Sequence, residues 1–170
     1  KAIIDEICDI VPAIKPQAAY YELYGHHGIK TLEKTIRYAQ LRGMFVITDG
    51  KRNDIGATMQ AYTSAHLGTV KVGDNEAAPF GADALTVNGY LGTDGISPLL
   101  DECRASDKGI FVLVKTSNPS SGELQDLKLE DGTPIYAHMG DMCEKWGEDT
   151  IGGYGYSAVG AVVPYFENYF

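Results

Sequence analysis

Residues 48–58 read TDGKRNDIGAT and follow the apolar run MFVI at 44–47. Asp49, Lys51, Arg52 and Asp54 put two acids and two bases within six positions, where a buried strand should end. In an extended chain, residues two apart share a face, so Asp49 and Lys51 point the same way. A lysine flanked by carboxylates stays protonated. Its ammonium suits proton delivery to a carbanion, or stabilisation of developing negative charge; Schiff-base chemistry needs a neutral amine instead. Asp49 would form one wall of such a site and repel a substrate carboxylate beside it. Repelling a carboxylate while accommodating a carbanion describes decarboxylation. The same charges also fit a plain strand-to-helix turn, with Asp54 an N-cap, Arg52 a solvated charge and Asp49–Lys51 a structural ion pair. Lys15, in AIKPQ, fits a plain reading less readily. A lysine in an apolar strand is costly unless paired, and an Asp from another strand is its natural partner. Pro16 suits a strand end, where its missing N–H does no harm.

The elements that must position these groups show as a rhythm of short apolar runs: VPAIKPQ (11–17), MFVITD (44–49), ADALTVN (82–88), GIFVLVKT (109–116) and SAVGAVV (157–163). They are nearly continuous and rich in Val, Ile and Phe, as strands covered on both faces are. Helical patterns lie between them. In GIKTLEKTIRYAQLRG, Leu32, Ile36 and Ala39 share one face, and Gly43 is placed to end the helix. DIGATMQAYTSAHLG starts at the N-cap candidate Asp54 and stops at Gly68; DGISPLLDECRAS and IYAHMGDMCEKWG supply two more helices. Strands alternating with helices predict βαβ units and a parallel sheet. The segment 117–136 is long for a connection; it fits either a surface insertion or a loop over a site, and LKLEDGTPIY predicts a small hairpin around Asp131-Gly132.

A doubly wound open sheet and a (β/α) barrel both satisfy that alternation. No GxGxxG or GxxxxGK[ST] fingerprint follows any strand. Polar residues gather instead at the C-terminal ends of the strands, namely Lys15, Asp49 with Lys51, Asn88 and Ser117, where a barrel places its chemistry.

Composition bounds the rest. The 170 residues suit one domain, 44% hydrophobic and 22% charged. A net charge of −9 argues against non-specific nucleic-acid binding, but not against an anionic small substrate, which responds to local charge. No run approaches the ~20 apolar residues of a membrane span. KAIIDEICDI, with three acids in ten residues, does not read as a signal peptide. Cys8, Cys103 and Cys143 are odd in number and widely spaced, which favours a reduced, cytoplasmic setting with each thiol a small buried hydrophobe. His26 and His27 are adjacent and His66 and His138 distant, so no metal cluster is expected.

DGKRNDIGAT resembles the DxKxxDI signature of the orotidine 5'-phosphate decarboxylase family. KPQAAYYELYG, ADALTVNGYLGTDGI and VLVKTSNPSSGE are similar to its longer bacterial subfamily, and the likeness runs to about residue 163. The resemblance implies a TIM-type barrel and a homodimer with sites at the interface. It also implies conversion of orotidine 5'-monophosphate (OMP) to UMP and CO2 in pyrimidine biosynthesis, with no cofactor and no metal. Lys51 would protonate C6 of the pyrimidine, Asp49 would sit against the departing carboxylate, and Lys15 would bond the ribose and order the charged network. Asp54, with Ile55 and Thr58, would reach the partner subunit's site, and Ser117 would contact the pyrimidine ring. Arg52 and Asn88 receive no role. A related Mg²⁺-dependent barrel enzyme acting on a sugar phosphate shares the DxKxxD core, and a non-catalytic barrel fragment is the other alternative. The family also has an earlier strand whose Asp contacts the ribose, and two later strands whose glycine-rich loop and arginine grip the phosphate. None of these has a match here. About five of eight strands are therefore expected, in a single partial barrel domain over 1–170 with exposed sheet edges. PYFENYF (164–170) matches nothing expected after the family's sixth strand.

Overall fold

All five apolar runs become strands of one parallel sheet in a computed structural model that describes residues 1–164. These are β1 (Ala13–Ile14), β2 (Phe45–Arg52), β5 (Ala84–Val87), β6 (Gly109–Leu113) and β7 (Val159–Val162). The sheet order is β1-β2-β5-β6-β7, so each parallel strand lies beside the next one in the chain. A doubly wound sheet reverses direction at a switch point; this one never does, as in a barrel wall. The chain has an α/β fold with five strands of a TIM-type barrel.

Register explains the near-continuous apolar runs. Ile14, Val46, Leu85, Val87, Ile110, Val112 and Val159 face outward into two apolar clusters beneath the helices. Ala13, Phe45, Ala84, Phe111 and Gly160 alternate with them on the inner face. A Cβ on Gly160 would come within 2.6 Å of the Phe111 ring, so glycine there lets the inner face close.

Helix α3 (Gly25–Leu41) buries the predicted stripe Leu32, Ile36 and Ala39, and Gly43 leaves it at φ +77°. Helices α5 (Thr93–Ser106) and α7 (Ile135–Gly147) cover the predicted segments. Helix α4 (Gly56–His66) corrects an expectation: Ile55 is its N-cap, and the Asp54 carboxylate accepts only from the Ile55 N–H, at 2.8 Å. Gly56 sits at φ +53°, which delays the helix and leaves Asp54 too early to cap it.

Sequence patterning misses α1 (Ala2–Ile7), α2 (Ala18–Glu22) and the antiparallel hairpin of β3 (Val70–Val72) and β4 (Asn75–Ala77). The helices span barely a turn or two, and every hairpin strand residue is exposed, so none shows a core-facing period. The hairpin expected in 117–136 shrinks to one bridge, Lys128–Pro134, because Ile135 already starts α7. The short helix α6 (Gly122–Gln125) fills the rest, tied to the end of β6 by a Lys115–Asp126 ion pair and by Gln125 Oε1 accepting from the Thr116 N–H at 2.9 Å. Residues 165–170 of the tail lie outside the described residues.

Candidate active site

Lys15 and Gln17, two apart at the end of β1, share the inner face with Asp49 of β2. The Asp49 N–H donates to the Pro16 carbonyl at 3.0 Å and locks the two strand ends together. Asp49 is 3% exposed and both carboxylate oxygens are engaged. Oδ2 accepts from the Lys15 ammonium and from Gln17 Nε2 at 3.2 Å. Oδ1 accepts from Lys51 Nζ at 2.5 Å and from the Thr86 hydroxyl at 2.9 Å. Burial alone would raise the Asp49 carboxyl, but hydrogen bonds from Lys15, Lys51 and Thr86 outweigh it and hold the pKa at about 2. Asp49 is therefore an anion at neutral pH, buried between two cations whose side chains remain about half exposed (52% for Lys15, 44% for Lys51).

Lys51 reaches Asp49 by a route that simple alternation does not describe. β2 pairs with β5 through Thr48–Leu85 and again through Arg52–Val87, so residues 49–51 bulge out of the ladder. Within the bulge Lys51 adopts φ +47°, a left-handed conformation that lysine rarely takes. Its N–H donates to the Thr86 hydroxyl at 3.0 Å in place of a ladder bond. Thr86 thus supports the Lys51 backbone and the Asp49 carboxylate with one oxygen. Bulges recur beside active sites, where they re-aim a side chain.

A cavity of about 460 Å³ opens onto this cluster, lined by Gln17, Tyr20, Glu22, Asp49, Lys51 and Arg52 among others. A larger groove of about 600 Å³ runs along Tyr20, Tyr21, Tyr24 and His27, but no acid, lysine or arginine lines it. Of these two spaces, the smaller is the one lined by charge for acid–base or electrostatic work.

The expected site residues are not all brought together. Lys15, Asp49 and Lys51 form one network. Asp54, Ile55 and Thr58 sit at the start of α4, with Ile55 and Thr58 exposed, and no ion pair to Asp54 forms among the described residues. Ser117 is exposed beyond β6 and makes no side-chain hydrogen bond to the network. Asn88 closes a turn, accepting from the Tyr90 N–H at 2.9 Å. Arg52, open to a solvated or a salt-bridged role from the sequence, is ion-paired to Glu22. Gln17 and Thr86 escape sequence reasoning; the only hint is their two-residue spacing from Lys15 and Asn88. Cys103 and Cys143 are buried and burial pushes both thiols up to about 11, while Cys8 is only half-buried. No group of three or more His, Cys, Asp or Glu side chains placed to hold a metal occurs among the described residues. No helix among them is long and apolar enough to cross a membrane.

Comparison with known proteins returns a family whose sequence model, described as orotidine 5'-phosphate decarboxylase / HUMPS, matches residues 1–168. An orotidine 5'-phosphate decarboxylase of Rhodopirellula baltica is 46% identical over 161 residues, covering 95% of this chain and 52% of the relative. One from Caldicellulosiruptor saccharolyticus is 44% identical over 163 residues, covering 96% and 53%. The chain thus spans about half the length of the curated relatives it matches. Among solved structures, a Streptomyces avermitilis protein provisionally assigned as orotidine 5'-phosphate decarboxylase superposes with a TM-score of 0.81 at 37% identity, covering 95% of this chain and 53% of that one. The OMP decarboxylase of Leishmania donovani gives 0.74 at 31% identity, covering 95% and 56%.

Proposed function

The chain belongs to the orotidine 5'-phosphate decarboxylase / HUMPS family, and from that premise we propose that it converts OMP to UMP and CO2 without a cofactor. One observation carries the reading: a buried, ionised Asp49 held between the Lys15 and Lys51 ammonium groups where β1 and β2 end. A substrate carboxylate placed beside Asp49 meets an anion that cannot move into solvent. As the C6–carboxylate bond breaks, its electron pair stays on C6 and CO2 departs. Lys51, facing the same space, stabilises that pair and transfers a proton from Nζ to C6. Solvent then returns a proton to the neutral amine. With no covalent electron sink, the charged network must supply roughly 20 kcal/mol of transition-state stabilisation together with binding energy from the rest of the substrate.

In this reading residues 1–170 belong to a single, partial barrel domain, acting in the cytoplasm as a homodimer. Asp54, Ile55 and Thr58, unengaged by their own network, serve the partner's site, and Ser117 contacts the pyrimidine ring. OMP absorbance, followed with the intact gene product and with Lys51→Ala, tests the proposal. The substitution should lower the rate by roughly 10²–10⁴-fold, and equal rates would sink it. Mixing Lys51→Ala with Asp54→Ala subunits should restore activity in hybrid dimers. Proven subunit exchange without recovery would count against the shared site.

A further inference from the structure

Arg52 is the one charge of the 49–54 cluster to which decarboxylation gives no task. Its backbone marks where β2 rejoins the sheet: it pairs with Val87, and its carbonyl accepts from the Asn88 N–H at 3.0 Å. Its side chain clasps three elements at once. Nη1 donates to the Gly50 carbonyl, inside the bulge, at 3.1 Å. Nη2 pairs with Glu22 of α2. The guanidinium carbon lies 5.5 Å from the centroid of the Tyr62 ring on α4. Helix α2 follows directly from Gln17, so the Glu22–Arg52 pair links the two segments that hold Asp49 from either side.

The bulge needs such a clasp. Lys51 at φ +47° is strained, and such a conformation persists only where its surroundings over-determine it. If the Lys51 backbone relaxed to negative φ, its side chain would leave the direction that brings Nζ onto Asp49. A partly exposed Arg–Glu pair adds little stability on its own, so its contribution is geometric. We infer that Arg52 is a positioning residue: through the Gly50 carbonyl, Glu22 and Tyr62 it holds the bulge in the shape that seats the Lys51 ammonium on Asp49. The consequence for turnover rests on the decarboxylase reading; the geometric claim does not.

Arg52→Met and Glu22→Gln in the intact gene product test it from both ends of the clasp, the second without touching β2. Each should lower kcat about 100-fold while KM moves less than about threefold and the thermal midpoint shifts only a few degrees. The double variant should be no worse than Arg52→Met alone, because both cut one link. Arg52→Lys should stay low, since one ammonium cannot bridge Gly50 and Glu22 while lying flat on Tyr62. A wild-type kcat in Arg52→Met, or losses that add fully, would overturn the inference. NMR of ¹⁵N-lysine ammonium groups reads the geometry without turnover. The Lys51 signal, assigned by its loss in Lys51→Ala, should be sharp in the unsubstituted protein and broadened in both single variants. Unchanged signals overturn the positioning role even if activity falls. If the unsubstituted protein leaves OMP untouched, the decarboxylase reading fails, and the spectra alone decide for or against the clasp.

Discussion

The inner face of β2 carries Asp49 at 3% exposure, and helix α4, which follows β2 in the chain, buries His66 at 4%. Asp49 receives four hydrogen bonds, two of them from ammonium groups. His66 stacks on Phe80, 4.9 Å between centroids, and its Nδ1 has no hydrogen-bond partner among the described residues. Burial, and then the nearby Arg52 charge, push the His66 pKa down to about 4 from 6.5, with Glu22 opposing. Both pKa values fall, with opposite meanings: Asp49 stays charged and His66 stays neutral. Equal burial therefore says nothing about protonation; the partners decide it. The strand end presents concentrated charge, and the end of α4 buries a neutral ring.

Removing the partners should make the first region behave like the second. With Lys15→Met and Lys51→Met together, the Asp49 carboxyl should rise from about 2 to above its ordinary 3.8, and stability at pH 7 should drop by about 3 kcal/mol, the low end for stranding a buried charge because both lysines are half-exposed. Carboxyl ¹³C titration and urea denaturation would measure both. An Asp49 still titrating near 2 would mean that Thr86 and Gln17, not the lysines, stabilise the anion.

The second region should declare itself in acid. The unfolded state binds a proton at His66 from 6.5 downward and the folded state only near 4. Its stabilising contribution is thus complete above pH 6.5 and is lost as pH falls to 4, amounting to roughly 3 kcal/mol. His66→Phe should remove that window. Parallel stability–pH curves for the two proteins would show that His66 is solvated after all.

The smallest effect belongs to Asp49 itself. Its folded pKa of about 2 lies below the ordinary 3.8, so its contribution is present above 3.8 and disappears as pH falls through 2. Half-exposed lysines limit that contribution to no more than about 2 kcal/mol. Comparing Asp49→Asn and His66→Phe with the unsubstituted protein between pH 7 and 2 should show two separate acid windows, one removed by each substitution. A single merged transition would erase the contrast.

Much of this organisation can be read from the sequence by itself. Runs such as MFVITD and GIFVLVKT locate the strands, the Leu32–Ile36–Ala39 stripe locates the buried face of α3, and Lys15 beside an apolar strand points to an acidic partner on another strand, although the charge that proves buried is that partner, Asp49. Each rests on local periodicity or on the need of a charge beside apolar neighbours for a partner, which travel with the residues. What needs the tertiary structure is the partner list. The bulge at 49–51 exists because β2 pairs with β5 on both sides of it, and Thr86 takes up the groups that the bulge frees. Gln17 completes Asp49 only because β1 and β2 end level with one another. Asp54 is denied its cap by the backbone of Gly56, and Arg52 turns outward to Glu22 and Tyr62 while its neighbour Lys51 turns inward to Asp49. Such choices depend on strand register and through-space distance, and residue order does not encode either one locally.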